Sequence, residues 1–351
     1  MIYPMGIQNK ITTPIELLDD KGHLVESGYA TKLLWHYDRS KIKAGWHRIK
    51  EWDYFAILDS SKKYGITFTI SDLGYLGLVA VAWLDFETKT YTQFDTMSIL
   101  PRGKTGFPSD SGDGIIEFKD KKIALKFEYD GPKRVITVDC PKFKNCKGET
   151  GLKGTLTIHQ DPTMDTMVIA TSWKENRKAF YYNQKVNCMP TEGLITIGET
   201  EYNFSSDTSM AVLDWGRGRW TYKNQWYWGS ASGYLNGESI GWNIGYGFSD
   251  RSPASENMLF YKGKAHKLDE VTFHVDSTDF MKPWKFSSND GRFEMDFKPI
   301  IDRQGNTNFL ILKSIQHQVF GYFTGHVVLD DGTQLEIKDF LGFAEDVLNW
   351  L

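Results

Sequence analysis

Apolar and polar positions alternate with period two along most of this chain. In Ile66-Thr-Phe-Thr-Ile70 the apolar residues fall at 66, 68 and 70, and in Ile123-Ala-Leu-Lys-Phe-Glu-Tyr129 they fall at 123, 125, 127 and 129. This spacing puts one side of a strand into a core and leaves the other free. Runs of the same kind recur at 135–140, 155–159, 167–173, 271–275, 293–297 and 319–328. Hairpin turns are marked by Asp130-Gly131, Asn236-Gly237, Asp290-Gly291 and Asp331-Gly332, where glycine takes positive φ at little cost and Asn or Asp tolerates it. Helical periodicity is confined to the C-terminus, 340–351, where Leu341, Val347, Leu348 and Trp350 can share one face, and to a brief turn at 15–18. The expected fold is therefore all-β: two antiparallel β-barrel or sandwich domains with a short C-terminal helix covering a barrel end.

A length of 351 residues is long for one barrel and suits two. Pro190 and Gly193 in the segment 187–193 place the expected boundary there, giving an N-terminal β-domain over 1–195 and a C-terminal one over 196–351, with exchange of strands between them allowed. A net charge of -4 without a basic run argues against nucleic acid. Residues 1–13 lack the apolar stretch of a leader, and no window approaches the ~18 uninterrupted apolar residues of a membrane span. Three cysteines without a CxxC suit neither a disulfide framework nor structural zinc. Cytoplasmic location is the expectation. The eight histidines form no HxH or HExxH pattern, and neither GxSxG nor a phosphate loop occurs. No metal and no cofactor are expected.

The content of 12 Trp, 17 Tyr and 22 Phe is high, and such rings fill β cores or line ligand cavities. They concentrate between Asp214 and Asn257. There Gly241, Asn243, Gly245 and Gly247 alternate with Trp242, Ile244, Tyr246 and Phe248, leaving one face of a strand bare except for Asn243. Either a second sheet packs tightly on that face or a ligand lies across it. Asp214 precedes Trp215 at a strand end. Burial beside the ring would raise its pKa and suit a general acid, whereas pairing with Arg217 or Arg219 would make it a structural bridge. In Arg48-Ile-Lys-Glu-Trp-Asp-Tyr54, alternation puts Glu51 and Asp53 on one side and Lys50, Trp52 and Tyr54 on the other. The candidate catalytic residues are Asp214, Glu51, Asp53 and Tyr75. Candidate ligand-binding residues are Trp52, Asp72, Trp215, Arg217, Trp220, Trp226, Trp228, Asn243, Tyr246, Glu256 and His266.

Phe180-Tyr-Tyr-Asn183, Asn187-Cys-Met189, Leu213-Asp-Trp-Gly-Arg-Gly218, Trp226-Tyr-Trp-Gly229, Gly245-Tyr-Gly-Phe248, Glu256-Asn257 and His266-Lys-Leu268 resemble a bacterial family of unknown function, DUF2804. Residues 48–54 and 71–77 extend the match over nearly the whole chain. More distantly, the Asp-Trp-Gly core resembles the carotenoid 1,2-hydratase and AttH-like proteins. That resemblance implies two lipocalin-like β-barrels, chemistry on hydrophobic substrates and an acid role for Asp214. The pattern in those proteins is often Asp-His-x-Trp-Gly; here Trp215 follows Asp214 directly.

Three functions fit. One is a cofactor-independent lyase, hydratase or isomerase acting on a small, largely apolar molecule, with Asp214 moving a proton and Glu51, Asp53 or Tyr75 opposite. Another is a carbohydrate-active enzyme with paired carboxylates in a Trp- and Tyr-rich cleft. The third is a non-catalytic protein that binds a small-molecule ligand.

Overall fold

The computed structural model describes residues 8–309 and 312–350. Among these the helical segments are two 3-10 turns, Arg39–Lys41 and Trp46–Arg48, and nearly everything else of regular structure is antiparallel strand. The chain divides into two compact units: unit 1 comprises 1–43, 165–187 and 219–351, and unit 2 comprises 44–164 and 188–218.

In unit 2, strand Ile49–Asp59 is followed in the sheet by Tyr64–Asp72, Leu76–Asp85 and Thr90–Ile99 on one side and has Ser209–Arg219 on the other. Asp113–Lys119, Ala124–Asp130, Lys133–Lys144 and Thr150–His159 follow as a meander that continues onto 191–197. The inner face repeats the sequence alternation. Phe55 opposes Phe68, Ile57 opposes Ile66, and Asp53 opposes Ile70, while Phe127 stands edge-on to Phe55.

In unit 1, nine strands form one curled sheet in the order Lys264–Lys267, Met258–Tyr261, Glu238–Tyr246, Lys223–Leu235, Gln334–Trp350, Leu312–Val328, Phe293–Phe309, Trp284–Ser288 and Val271–His274. Its core is aromatic: Trp242, Trp284, Phe286, Phe293, Phe297 and Phe323 are all buried. The Asn236-Gly237 turn has φ of +53° and +82°, the pair of positive values that a two-residue hairpin with matching twist requires.

The expected C-terminal helix is not there. Gln334–Trp350 is a strand paired along both edges, with Lys223–Leu235 and with Leu312–Val328. Its apolar positions also fit a strand buried on both faces, and pairing on two sides satisfies every backbone group that a helix would satisfy internally. Leu351 lies outside the described residues. The turn expected at 15–18 is likewise extended: Ile15–Glu16 pairs in parallel with Trp35–His36. No helix among the described residues is long and apolar enough to cross a membrane.

Candidate functional site

Unit 2 carries buried charge at one end of its apolar core. Asp53 and Arg217 are both fully buried and joined at 2.7 Å. The Tyr129 hydroxyl donates to the other Asp53 oxygen at 2.5 Å. Arg217 also donates to the carbonyls of Trp52, Gly216 and Pro108 and lies over the rings of Trp215 and Phe107. Burial pushes the Asp53 carboxyl above its ordinary range against the pull of Arg217 and Tyr129, with Asp214 adding to the rise. Burial and Asp53 push the Tyr129 phenol well up.

Alternation along the same two strands turns Lys50, Trp52, Tyr54, Asp214 and Gly216 to the opposite face. Gly216 has a reason there. A Cβ on it would stand 1.9 Å from Trp52 Cζ2, so the indole of Trp52 lies directly against the bare strand. Asp214, two residues away on the same face, is 8% exposed. On the far side of Trp52 the next strand sets Ser71 opposite Trp52 and Thr69 opposite Tyr54. The result is an indole shelf with one carboxylate beside it, braced from behind by the Asp53–Arg217 pair.

Lys50, Tyr75 and Asp72 organise the end of this sheet. Lys50 is buried, donates to the carbonyls of His47 and Leu73, and sits 4.1 Å from the Tyr75 ring centroid. Burial pushes its amine down to about 7. Asp72 accepts from the amides of Gly74 and Gly103 and from Thr105 Oγ1, which ties down the following loop.

Unit 1 presents a second polar face. Opposite its aromatic core, Trp228, Asn243 and Glu345 stand on adjacent strands. Trp228 Nε1 donates to Asn243 Oδ1 at 2.7 Å, and Asn243 Nδ2 donates to the Glu256 carbonyl at 2.9 Å. Trp226 Nε1 donates to Glu345 at 2.8 Å and Gln318 donates to its other oxygen at 3.1 Å. The bare glycine face is filled by the segment around Glu256: a Cβ at Gly245 would stand 3.0 Å from the Glu256 carboxyl. Asn257 fixes that segment, accepting from Gly245 N and donating to the Asp269 carbonyl. Lys267 clips it from below through Ser255 Oγ and two carbonyls.

The family model described as "Domain of unknown function (DUF2804)" matches residues 8–350. This chain belongs to the DUF2804 family. No curated protein matches its sequence. Solved structures similar to the DUF2804 chain include an AttH-like protein from Nitrosomonas europaea, with a TM-score of 0.53, 10% identity and coverage of 85% of this chain and 92% of that one. CghA in complex with Sch210972 gives a TM-score of 0.51 at 11% identity, covering 86% and 88%. Kievitone hydratase from Nectria haematococca gives 0.47 at 13% identity, covering 90% and 94%. At these identities the likeness concerns the fold alone, a lipocalin-like double barrel.

The residues singled out in the DUF2804 sequence thus fall into two sets. Glu51, Trp52, Asp53, Asp72, Tyr75, Asp214, Trp215 and Arg217 belong to unit 2; Trp220, Trp226, Trp228, Asn243, Tyr246, Glu256 and His266 belong to unit 1. Arg217 bonds Asp53. Trp220 and Trp226 pack on Phe248, Tyr246 stacks on Tyr227, and His266 accepts from the Asp330 amide. Glu51 opposes Asp72 across the strand pair and is 1% exposed. Glu345 escaped the sequence reading, because a helix was expected over its segment. Its signal was a carboxylate at strand spacing from both Phe343 and Val347, on the face that those two residues share.

Proposed function

We propose that this DUF2804 protein is a lyase, hydratase or isomerase working by carboxylate acid–base chemistry on a small, largely apolar molecule. The observation that carries this reading is the Trp52 indole laid on Gly216 beside the nearly buried carboxylate of Asp214. The flat ring offers an apolar surface and can stabilise positive charge developing above it. The carboxylate gives or takes the proton. Asp53 and Arg217 act as positioning residues, since their bonds hold the two strands that present Trp52 and Asp214. Among proteins of similar fold, CghA holds the small molecule Sch210972, which agrees with a small-molecule role. No cofactor enters this scheme.

The test is mass spectrometry of small molecules retained or converted from cell extract by the wild type and by Asp214→Asn. The expected result is a molecule bound by both and converted by the wild type alone. If Asp214→Asn binds and converts it as well as the wild type, the assignment falls.

One arrangement favours a carbohydrate-active enzyme. Glu345, Trp228 and Gly245 form a row across three adjacent strands, with the Glu256 carboxyl against Gly245. Two strand spacings separate the ends of the row by about 10 Å, near the upper end of the carboxylate separation in inverting glycosidases, with an indole between. A glycoside panel assayed with Glu345→Gln tests this second reading; hydrolysis unaffected by the substitution, or none at all, rejects it.

A further inference from the structure

A row of polar side chains caps the apolar core of unit 1, on the inner face and away from the surfaces described above. Across four strand pairings Tyr246 opposes Tyr227, Tyr227 opposes Asp346, Asp346 opposes His317, and His317 opposes Gln304. Asp302 joins them because of a register shift. Phe293, Met295 and Phe297 point into the core, and an unbroken strand would send residue 302 outward. The bulge between Pro299 and Ile301 reverses the phase, so Asp302 opposes the buried Val319 and faces inward. Bulges commonly re-aim side chains in this way at functional sites.

The side chain of Asp302 is only 8% exposed. Its Oδ2 meets His317 Nδ1 at 2.9 Å and Gln304 Nε2 at 2.7 Å, while its Oδ1 has no partner among the described residues. In the neutral ring Nδ1 donates to this carboxylate and Nε2 is an acceptor. Asp346 accepts from Gln225 at 2.8 Å and from the Tyr227 hydroxyl. Phe280 stacks on His317 with centroids 3.9 Å apart, and Tyr227 stacks on Tyr246 at 4.7 Å. The belt thus offers Asp302 Oδ1 and His317 Nε2 as acceptors, two of its members are carboxylates, and its walls are aromatic faces.

We propose that this end of the unit 1 barrel is a binding site for a small organic amine in its ammonium form. An ammonium group has only donors to offer, which matches Asp302 Oδ1 and His317 Nε2. Its charge is balanced by Asp302 and Asp346, and aromatic faces favour a cation beside them. The other charged groups nearby are already engaged or distant. Arg251 lies over Tyr246 and pairs with Glu270 at 2.8 Å. Lys223 and Lys313 lie against Trp350, four residues further along their strands, about 13 Å away and beyond the screening length of physiological salt.

The experiment titrates the full chain at pH 7.5 with benzylamine and with benzyl alcohol as its neutral counterpart. Binding is read by calorimetry and by the His317 ring resonance, assigned with His317→Gln. Benzylamine is expected to bind and move that resonance, and benzyl alcohol to bind at least 10-fold more weakly. Asp302→Asn and Asp346→Asn, checked for folding by their melting curves, should each weaken benzylamine at least 10-fold. The proposal is overturned if wild-type protein fails to bind benzylamine or binds the alcohol equally well. It is also overturned if the folded variants bind as the wild type does. The wild-type comparison decides alone if neither variant folds.

Discussion

Replacing Arg217 with Met removes the guanidinium that holds Asp53 while keeping much of the apolar contact with Trp215 and Phe107. Both members of the pair are fully buried at 2.7 Å, so water cannot take the lost partner's place. Removing one member of such a pair costs about 3–5 kcal/mol, a large part of the ~5–15 kcal/mol that holds an ordinary domain together. The cost should depend on pH. Burial already raises the native Asp53 carboxyl above its unfolded value, and Arg217 opposes that rise; without Arg217 the native value climbs further. A carboxyl raised on folding contributes stability that is present below its unfolded value and lost as pH rises through the native one. The deficit of Arg217→Met is therefore largest at pH 7.5 and shrinks toward pH 5. Adding Asp53→Asn removes the stranded charge and should recover part of the loss at pH 7.5. Urea denaturation followed by tryptophan fluorescence measures all of these. A deficit under about 1 kcal/mol would refute the reasoning, as would one equal at both pH values.

Three further substitutions probe the same account. Gly216→Ala puts a methyl group where Trp52 lies; it should shift the tryptophan emission and cost about 1–3 kcal/mol, and an unchanged spectrum would mean that the shelf is not formed. Asn243→Leu strands Trp228 Nε1 and the Glu256 carbonyl, at about 1–3 kcal/mol for each buried group, again by urea titration. Lys50→Met bears on alkaline stability. The native amine titrates at about 7, below its unfolded value, so the stability linked to it is gained as pH rises from 7 to 9 and lost as pH falls through about 7. Lys267, also pushed down to about 7, does the same. Unfolding at pH 7, 8 and 9 should thus show the wild type gaining stability and Lys50→Met gaining about half as much; equal gains would contradict the buried-amine picture.

Much of the fold was legible because period-two alternation reports directly which side of a strand is buried. Ile66, Phe68 and Ile70 are all at or below 1% exposure, as their spacing implied. What escaped depended on partners distant in sequence. Gly216 is bare because of Trp52, 164 positions earlier, and nothing local to the Asp-Trp-Gly stretch shows that. Arg217 offered two readings of Asp214, and the structure gives its shortest bond to Asp53 instead. Glu345 was hidden because residues 340–350 are apolar enough to satisfy a helical stripe as well as a two-faced strand. Asp302 needed a bulge to turn inward, and the polar run 302–306 that follows carries no apolar alternation to show the change of phase.

The proposal that Asp214 moves a proton is tested most directly with isotopically labelled water. Once a converted molecule has been found, the reaction is run in D2O with the wild type and with Asp214→Asn. Where Asp214 delivers a proton to carbon, as in hydration or isomerisation, one solvent deuterium is fixed on carbon in the wild-type product and none with the variant; for an elimination the same label is read in substrate re-formed by the reverse reaction. A parallel run in H2(18)O that labels the product with oxygen while D2O leaves every carbon unlabelled would indicate hydrolysis. A molecule recovered unchanged and unlabelled, held equally well by both proteins, would contradict the account and leave a binding protein in its place.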